Sequence, residues 1–288
     1  MSGDYHKVLE HLSALSRRRK ICCLVLGGTD TGKTTLVTGL ARRLADMTPT
    51  AVIDADIGQS HIGPPTTVGW ALARKSPADL SEWPVAGMHF VGDIAPTRHL
   101  LQLTVALERS YRQAVKQARI VIIDTGGFIA GGAAQVLWWQ VHRLLDPQVV
   151  VAVQRQEEME PILAGLEKTT RAVWRLDCSE QVKTKSAEQR RNFRCERWAK
   201  YFHNHQSYEF SRNELSLQGA VHPAQIKAGE LEGRVAALRD GAGCDKALGI
   251  IKEWSHQKGL VRLIGPPITG EKIRCLVIGD CKIEPFML

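Results

Sequence analysis

Eight residues near the start of the chain, Gly27-Gly28-Thr29-Asp30-Thr31-Gly32-Lys33-Thr34, have the spacing G-x-x-x-x-G-K-[ST]. They stand between an apolar run, Ile21 to Leu26, and a helix-like segment, Thr35 to Leu44. This strand, loop and helix order is the setting that gives the pattern its chemistry. Gly27 and Gly32 let the backbone curl until successive N–H groups point inward at an anion, and a helix starting at Lys33 adds its positive end. Lys33 would reach the β- and γ-phosphate oxygens of a nucleoside triphosphate, and the Thr34 hydroxyl would ligate Mg²⁺. Every residue from Gly27 to Thr35 is read as nucleotide-binding.

Two carboxylates close later apolar runs. Asp56 lies in Asp54-Ala55-Asp56-Ile57-Gly58-Gln59, just past the strand-like Ala51 to Ile53. At the same sheet edge as the glycine loop, it can hold the metal's water or accept a hydroxyl proton, which is what moving a γ-phosphoryl onto an alcohol requires. A purely structural aspartate would end the strand or cap a helix. Asp124 ends Ile120-Val121-Ile122-Ile123 and could orient Mg²⁺ through water. The metal role stays divided between the two, and Asp56 takes the catalytic contact.

The third constellation runs from Lys183 to Lys200. Seven basic residues less two acidic ones give +5 of the chain's net +8. Ser186 with Gln189 predicts a capping box and a helix from Ala187. At helical spacing Arg190, Arg194 and Arg197 share one face, while Cys195, Trp198 and Phe202 share another. Charge runs are commonly solvated faces. Here, in a triphosphate-binding chain, arginines on one side of an anchored helix favour a lid that spreads negative charge over planar guanidinium forks.

The elements that must position these residues follow from hydrophobic period. Strand-length apolar runs at Ile21 to Leu26, Ala51 to Ile53, Met88 to Val91, Ile120 to Ile123, Val149 to Val153 and Ala172 to Leu176 alternate with helical patterns. The helices fall near Tyr5 to Leu15, Lys33 to Asp46, Leu100 to Ala118, Ala133 to Leu145 and Glu157 to Lys168. Such alternation predicts an α/β fold, a mostly parallel sheet with helices on both faces, whose ligands collect at the carboxyl ends of strands. After Gly219 short Val-, Ile- and Leu-rich runs broken by Gly and Pro predict a small β domain. The expected division is 1–20, a helix and the basic connector Arg17 to Lys20; 21–215, the nucleotide-binding unit; and 219–288, the β unit.

The 288 residues, 44% hydrophobic and 24% charged, suit an ordinary globular protein. No run reaches the ~20 apolar residues of a membrane span, and the polar start is unlike a signal peptide, so cytoplasmic residence is expected. Seven cysteines without C-x-x-C spacing read as thiols, not as a disulfide frame or zinc site. Trp138-Trp139 and Trp174 lie inside apolar segments and are expected in the core.

In order along the chain, five stretches resemble the polynucleotide 5′-hydroxyl kinases of pre-mRNA cleavage and pre-rRNA processing and their prokaryotic relatives. They are the glycine loop, Asp56-x-Gly58-Gln59, Gly92-Asp93-Ile94-Ala95-Pro96, Asp124-Thr125-Gly126-Gly127-Phe128, and Ser186 to Arg197 with Tyr201-Phe202. The resemblance covers Ile21 to Phe210 and extends to the small β domain. It implies ATP- and Mg²⁺-dependent phosphorylation of single-stranded or end-accessible RNA or DNA bearing a 5′-hydroxyl. By position it implies that Lys33 and Thr34 bind triphosphate and metal, that Asp56 activates the hydroxyl, and that Gln59 helps order the metal. Arg190, Arg191 and Arg194 would form the lid, with Arg197 counted among substrate contacts.

Thr66-Thr67-Val68-Gly69-Trp70 lies where the family has a clasp for phosphates and the nucleic-acid end, so Thr66 and Thr67 are secondary substrate candidates. Two departures stand out. Residues 1–20 occupy the place of a β-rich N-terminal domain in larger members, and Phe128 replaces the tryptophan of Asn-Thr-x-Gly-Trp. Phe128 can stack on a base or sit in the core. The rival functions are a kinase for a small, nucleoside-like alcohol and a nucleotide-gated nucleic-acid-binding scaffold without turnover. Salt sensitivity separates the first, because phosphate contacts release counterions; nucleotide binding without transfer marks the second.

Overall fold

A computed structural model describes residues 3–219, 229–255, 257–268 and 272–283. The chain enters through α1 (Gly3–Ser16) and β1 (Ile21–Gly27), turns through the glycine loop into α2 (Lys33–Ala45), and returns as β2 (Thr50–Ala55). Two antiparallel strands follow, β3 (Thr67–Leu72) and β4 (Gly87–Phe90), then α3 (Leu100–Gln117), β5 (Ile120–Thr125), α4 (Gly132–Leu145) and β6 (Val149–Gln154). The short α5 (Glu160–Leu163), β7 (Ala172–Asp177) and α6 (Ala187–Phe202) complete this part.

The first sheet has the order β4-β3-β2-β5-β1-β6-β7, parallel from β2 to β7 as the alternation predicts. Every residue of β1, β2, β5 and β6 is buried, because helices cover both faces. One face packs Leu24, Ile53, Trp70 and Val121 against Leu107 of α3 and Trp138 of α4. The other packs Val25, Val52 and Ile122 against Tyr5, Val8 and Leu12 of α1 and Val37, Leu40 and Leu44 of α2.

The second sheet is built from β8 (Gln206–Ser211), β9 (Ser216–Gly219), β10 (Arg234–Asp240), β11 (Asp245–Ser255), β12 (Leu260–Gly265) and β13 (Ile273–Lys282), in the order β8-β12-β11-β10-β13-β9. Composition puts the boundary between units near 215–219, but β8 pairs with β12 from Gln206 onward, so the second sheet starts directly after α6. The alternation of Tyr208 and Phe210, whose rings stack at 6.0 Å, marks β8 as a strand with one apolar side.

Two further elements differ from the periodicity. β3 is a strand where only a clasp was expected; Gly69 makes room for it, since a Cβ there would lie 1.9 Å from the Ile62 carbonyl. The helix expected over Glu157 to Lys168 shortens to α5 and turns, and Gly165 faces the Trp139 indole, where a Cβ would come within 2.5 Å. Trp138 is in the core as expected. The seven cysteines are free thiols, and no helix among the described residues is long and apolar enough to cross a membrane.

Candidate active site

The glycine loop is shaped by its own sequence. A Cβ on Gly27 would lie 2.4 Å from the Val153 carbonyl of β6, and Gly32 has φ 87°, so both positions require glycine. Lys33 is buried, and its ammonium donates to the Gly28 carbonyl at 2.6 Å; the Thr31 hydroxyl donates to the same oxygen at 3.0 Å. Burial lowers the Lys33 pKa, and Asp124, Asp56 and Asp30 pull it back up.

Parallel register puts Asp54 of β2 directly beside Asp124 of β5, one strand from Val25 of β1. Burial raises both carboxyls, Asp124 to about 7, where the charges of Asp54 and Asp56 add to the rise while Thr34 and Lys33 oppose it. Asp124 Oδ1 is buried with no hydrogen-bond partner, and so is Gln59 Oε1. Asp54 was not singled out from sequence, and it organises the next loop: its Oδ1 accepts from Asp56 N at 3.0 Å, and its Oδ2 from His61 N at 2.6 Å and Ile62 N at 3.0 Å. The sign in the sequence was a second aspartate, two residues before Asp56, at the strand end.

Asp56 itself is half-buried, and its Oδ1 accepts from Gly58 N at 3.1 Å and Gln59 N at 2.9 Å. Oδ2 has no hydrogen bond among the described residues and is left for a ligand. Gln59 Nε2 donates to the Arg190 carbonyl at 3.1 Å, tying this loop to α6.

The helix α6 begins at the predicted capping box: Ser186 Oγ accepts from Gln189 N and the Gln189 side chain from Ser186 N. Asp30, at φ 54° in the glycine loop, holds it down. Its Oδ2 accepts from Arg190 Nη2 at 2.5 Å and Lys185 N at 3.0 Å, and its carbonyl from Arg155 Nη2 at 2.6 Å. Farther along, Trp198 and Phe202 are buried with Phe90 of β4 and Val235, Ala237, Leu248 and Ile250 of the second sheet. A sequence pattern shows the two faces of α6 but not that its apolar face belongs to another sheet.

Two cavities meet here. One, of about 220 Å³, is lined by the loop from Thr29 to Thr35 and by Asp56, Gln59, Lys183, Lys185 and Arg190. The other, of about 330 Å³, lies between Asp56, Gly58 and Gln59, the Ile94-Ala95-Pro96 turn, Gly126 to Phe128, Arg190 and Arg194. Thr29, Asp56, Gln59 and Arg190 border both. Gly127 lets these walls close up, as a Cβ there would sit 2.1 Å from Thr29 Oγ1. Phe128 lines the second cavity while packing on the first core, and its carbonyl accepts from Trp138 Nε1 at 2.7 Å.

Four expected contacts differ. Thr66 and Thr67 are fully buried and line neither cavity; Thr67 Oγ1 donates to the Pro64 carbonyl at 2.7 Å, and Thr66, at φ 71°, is pinned by Thr66 N to Ile57 O and Val91 N to Thr66 O. They shape the turn before β3 and offer no hydroxyl to a substrate. Arg191 is exposed and lines neither cavity, since it falls on the outward side of the helix. Arg197, one turn beyond Arg194, reaches past both cavities and donates to the His61 and Gly63 carbonyls at 2.6 and 2.9 Å, bracing the loop that follows Asp56.

The loop-bearing strand between β5 and β6, with anion-facing groups all at one sheet end, places the molecule among the P-loop nucleotide-binding proteins. More narrowly, the chain belongs to the family of the mRNA cleavage and polyadenylation factor CLP1 P-loop, whose model matches residues 27–204, ending just past α6. It is 35% identical over 217 residues to a polyribonucleotide 5′-hydroxyl-kinase of Pyrococcus furiosus, covering 75% of this chain and 60% of that one. A protein of the same name from Thermococcus kodakarensis is 33% identical over 235 residues, covering 80% and 65%. The chain thus spans about 60% of the length of the curated relatives it matches. In fold, it superposes on the wild-type Clp1p–Pcf11p (454–563) complex with a TM-score of 0.72 at 13% identity, over 97% of this chain and 78% of that one.

Proposed function

We propose that the chain is an ATP-dependent polynucleotide 5′-hydroxyl kinase. The observation that carries this reading is the wall shared by the two cavities: Asp56, Gln59 and Arg190 stand between a triphosphate-shaped recess and an acceptor-sized one. The names of the relatives supply the acceptor, the 5′-hydroxyl of RNA.

Lys33 leaves the Gly28 carbonyl for the β- and γ-phosphates. Asp56 Oδ2 takes the proton of the attacking hydroxyl while the new O–P bond forms and the bond from the γ-phosphorus to the bridging oxygen breaks. Arg190 and Arg194 face the charge that spreads over the transferring group. Nothing covalent to the protein is required.

A Mg²⁺ ion fits the donors present. Asp124 Oδ1 and Gln59 Oε1 are buried acceptors without partners, and the Thr34 side chain lies with Lys33 beside Asp124. When bound, the ion would neutralise β- and γ-phosphate charge.

The test is transfer of labelled γ-phosphate from ATP to short 5′-hydroxyl RNA and DNA oligonucleotides, with a free nucleoside alongside. Label should appear at the 5′ end, and Lys33→Ala and Asp56→Asn should each lower transfer by about 10²-fold or more. Asp56→Asn should still bind ATP. Tight ATP binding with label only in free phosphate, or only on the nucleoside, would overturn the assignment.

A further inference from the structure

The largest of these cavities lies elsewhere, about 680 Å³ between α3 and the second sheet. Leu101, Val105 and Arg109 form a stripe at helical spacing on α3, and Arg98, in the turn just before the helix, extends it. Leu101 is 73% exposed and Val105 45%, although both are large and apolar. The carboxylates on the opposite wall are already used. Asp245 accepts from Phe90 N at 2.8 Å and Arg239 Nε at 2.7 Å; Asp280 pairs with His99 Nε2 at 3.2 Å and Arg234 Nη1 at 3.0 Å. Arg98 and Arg109 face no carboxylate at salt-bridge distance among the described residues, and Arg109 donates only to the Gly243 carbonyl.

The stripe approaches the acceptor cavity at the turn Pro96–Arg98 that precedes α3. Pro96 and Leu103 line that cavity, while Arg98 and Leu101, between them in sequence, line this one. From Leu101 to Arg109 the helix runs roughly 12 Å at its usual rise, enough to follow a strand beyond its first nucleotide. Guanidinium groups at both ends of an exposed aliphatic strip can take the phosphates of a single strand while its bases pack on the apolar side chains between them.

We infer that the α3 stripe holds the single-stranded body of the polynucleotide, downstream of the nucleotide whose 5′-hydroxyl occupies the acceptor cavity. This rests on the reading of that cavity given above. Charge favours a nucleic acid as the occupant: two uncompensated arginines sit on a chain with net charge +8.

The experiment compares a 5′-hydroxyl dinucleotide with an eight-nucleotide single-stranded RNA, by kcat/KM and, independently of turnover, by fluorescence anisotropy. The proteins are the wild type, Arg98→Ala/Arg109→Ala and Leu101→Glu. In the wild type the longer RNA should win by about tenfold or more at low salt, an advantage that fades as salt rises. The arginine double variant should lose most of that advantage and flatten the salt slope by about 1.4, two single-strand phosphate contacts, while phosphorylating the dinucleotide as before. Leu101→Glu should also lose the length advantage.

Equal length dependence in wild type and variants overturns the inference. So does a wild type indifferent to length, an outcome that leaves the stripe to a protein segment. Binding of the eight-nucleotide RNA that depends on Arg98 and Arg109 without any transfer would keep the inference and sink the kinase reading.

Discussion

Asp30 is the residue whose position says most about the lid. One carboxylate oxygen holds both Arg190 and the backbone of Lys185, so a single side chain in the glycine loop fixes where the lid guanidinium stands. A hydrogen bond to a charged group contributes about 1.5–3 kcal/mol, and each 1.4 kcal/mol is tenfold in rate. Asp30→Asn is therefore expected to lower kcat about tenfold while ATP affinity moves less than threefold, as read by steady-state kinetics and nucleotide titration. Equal effects on kcat and affinity would mean that Asp30 only trims the loop. The loop itself was legible because its chemistry is local: eight residues in a row carry it. Asp54, Arg197, Thr66 and Thr67 were not, because their roles are set by loops folded back onto them. A buried hydroxyl and an accessible one look alike in a sequence.

At the scale of the element, α6 was predicted correctly in start, cap and facing, but not in its neighbours. Its first turns rest on the glycine loop through Asp30 and on the Asp56 loop through Gln59, and its last turns are packed in the second sheet's core. The two halves should fail differently. Ser186→Ala removes a cap worth about 1 kcal/mol and should act locally, speeding amide exchange at 187–190 with little change in global unfolding. Trp198→Ala empties a fully packed site and should cost about 3–5 kcal/mol of global stability in a denaturant titration. If both variants lowered global stability equally, the two halves would not be separate. The strands that sequence missed, β3, β8 and β9, are those at or near sheet edges. β8 is exposed along much of its length, so its apolar signal is sparse, while β3 is buried from Thr67 to Ala71 but its apolar run is interrupted by Gly69.

At the scale of the molecule, the parallel sheet was legible because each central strand is uniformly apolar. The joint between the two sheets was not, since it is made by single residues far apart in sequence. Phe90 N bonds Asp245, and Gly92 O accepts from Asp280 N. His89 of β4 is buried at this joint, where burial and the charges of Arg109 on α3 and Arg239 on β10 push its pKa down against Asp245 on β11. The unfolded chain takes up a proton near pH 6.5 that the folded chain resists, so stability is present above that pH and falls as pH drops below it. The buried Asp54 and Asp124 carboxyls, raised by burial, act in the opposite sense over this window, so the His89 contribution is read by difference: His89→Gln should lose less melting temperature than the wild type, or gain more, from pH 7 toward pH 5. An unchanged slope would place the acid sensitivity elsewhere.

On the kinase reading proposed above, the divided anchorage of α6 also sets the manner in which spent nucleotide departs. A helix embedded at one end cannot swing away as a rigid door; the recess must open by unravelling its first turns. Product residence time then becomes a fraying rate. The capping box and the Asp30 bridge act as the escapement of the catalytic cycle, at a distance from every bond that is made or broken.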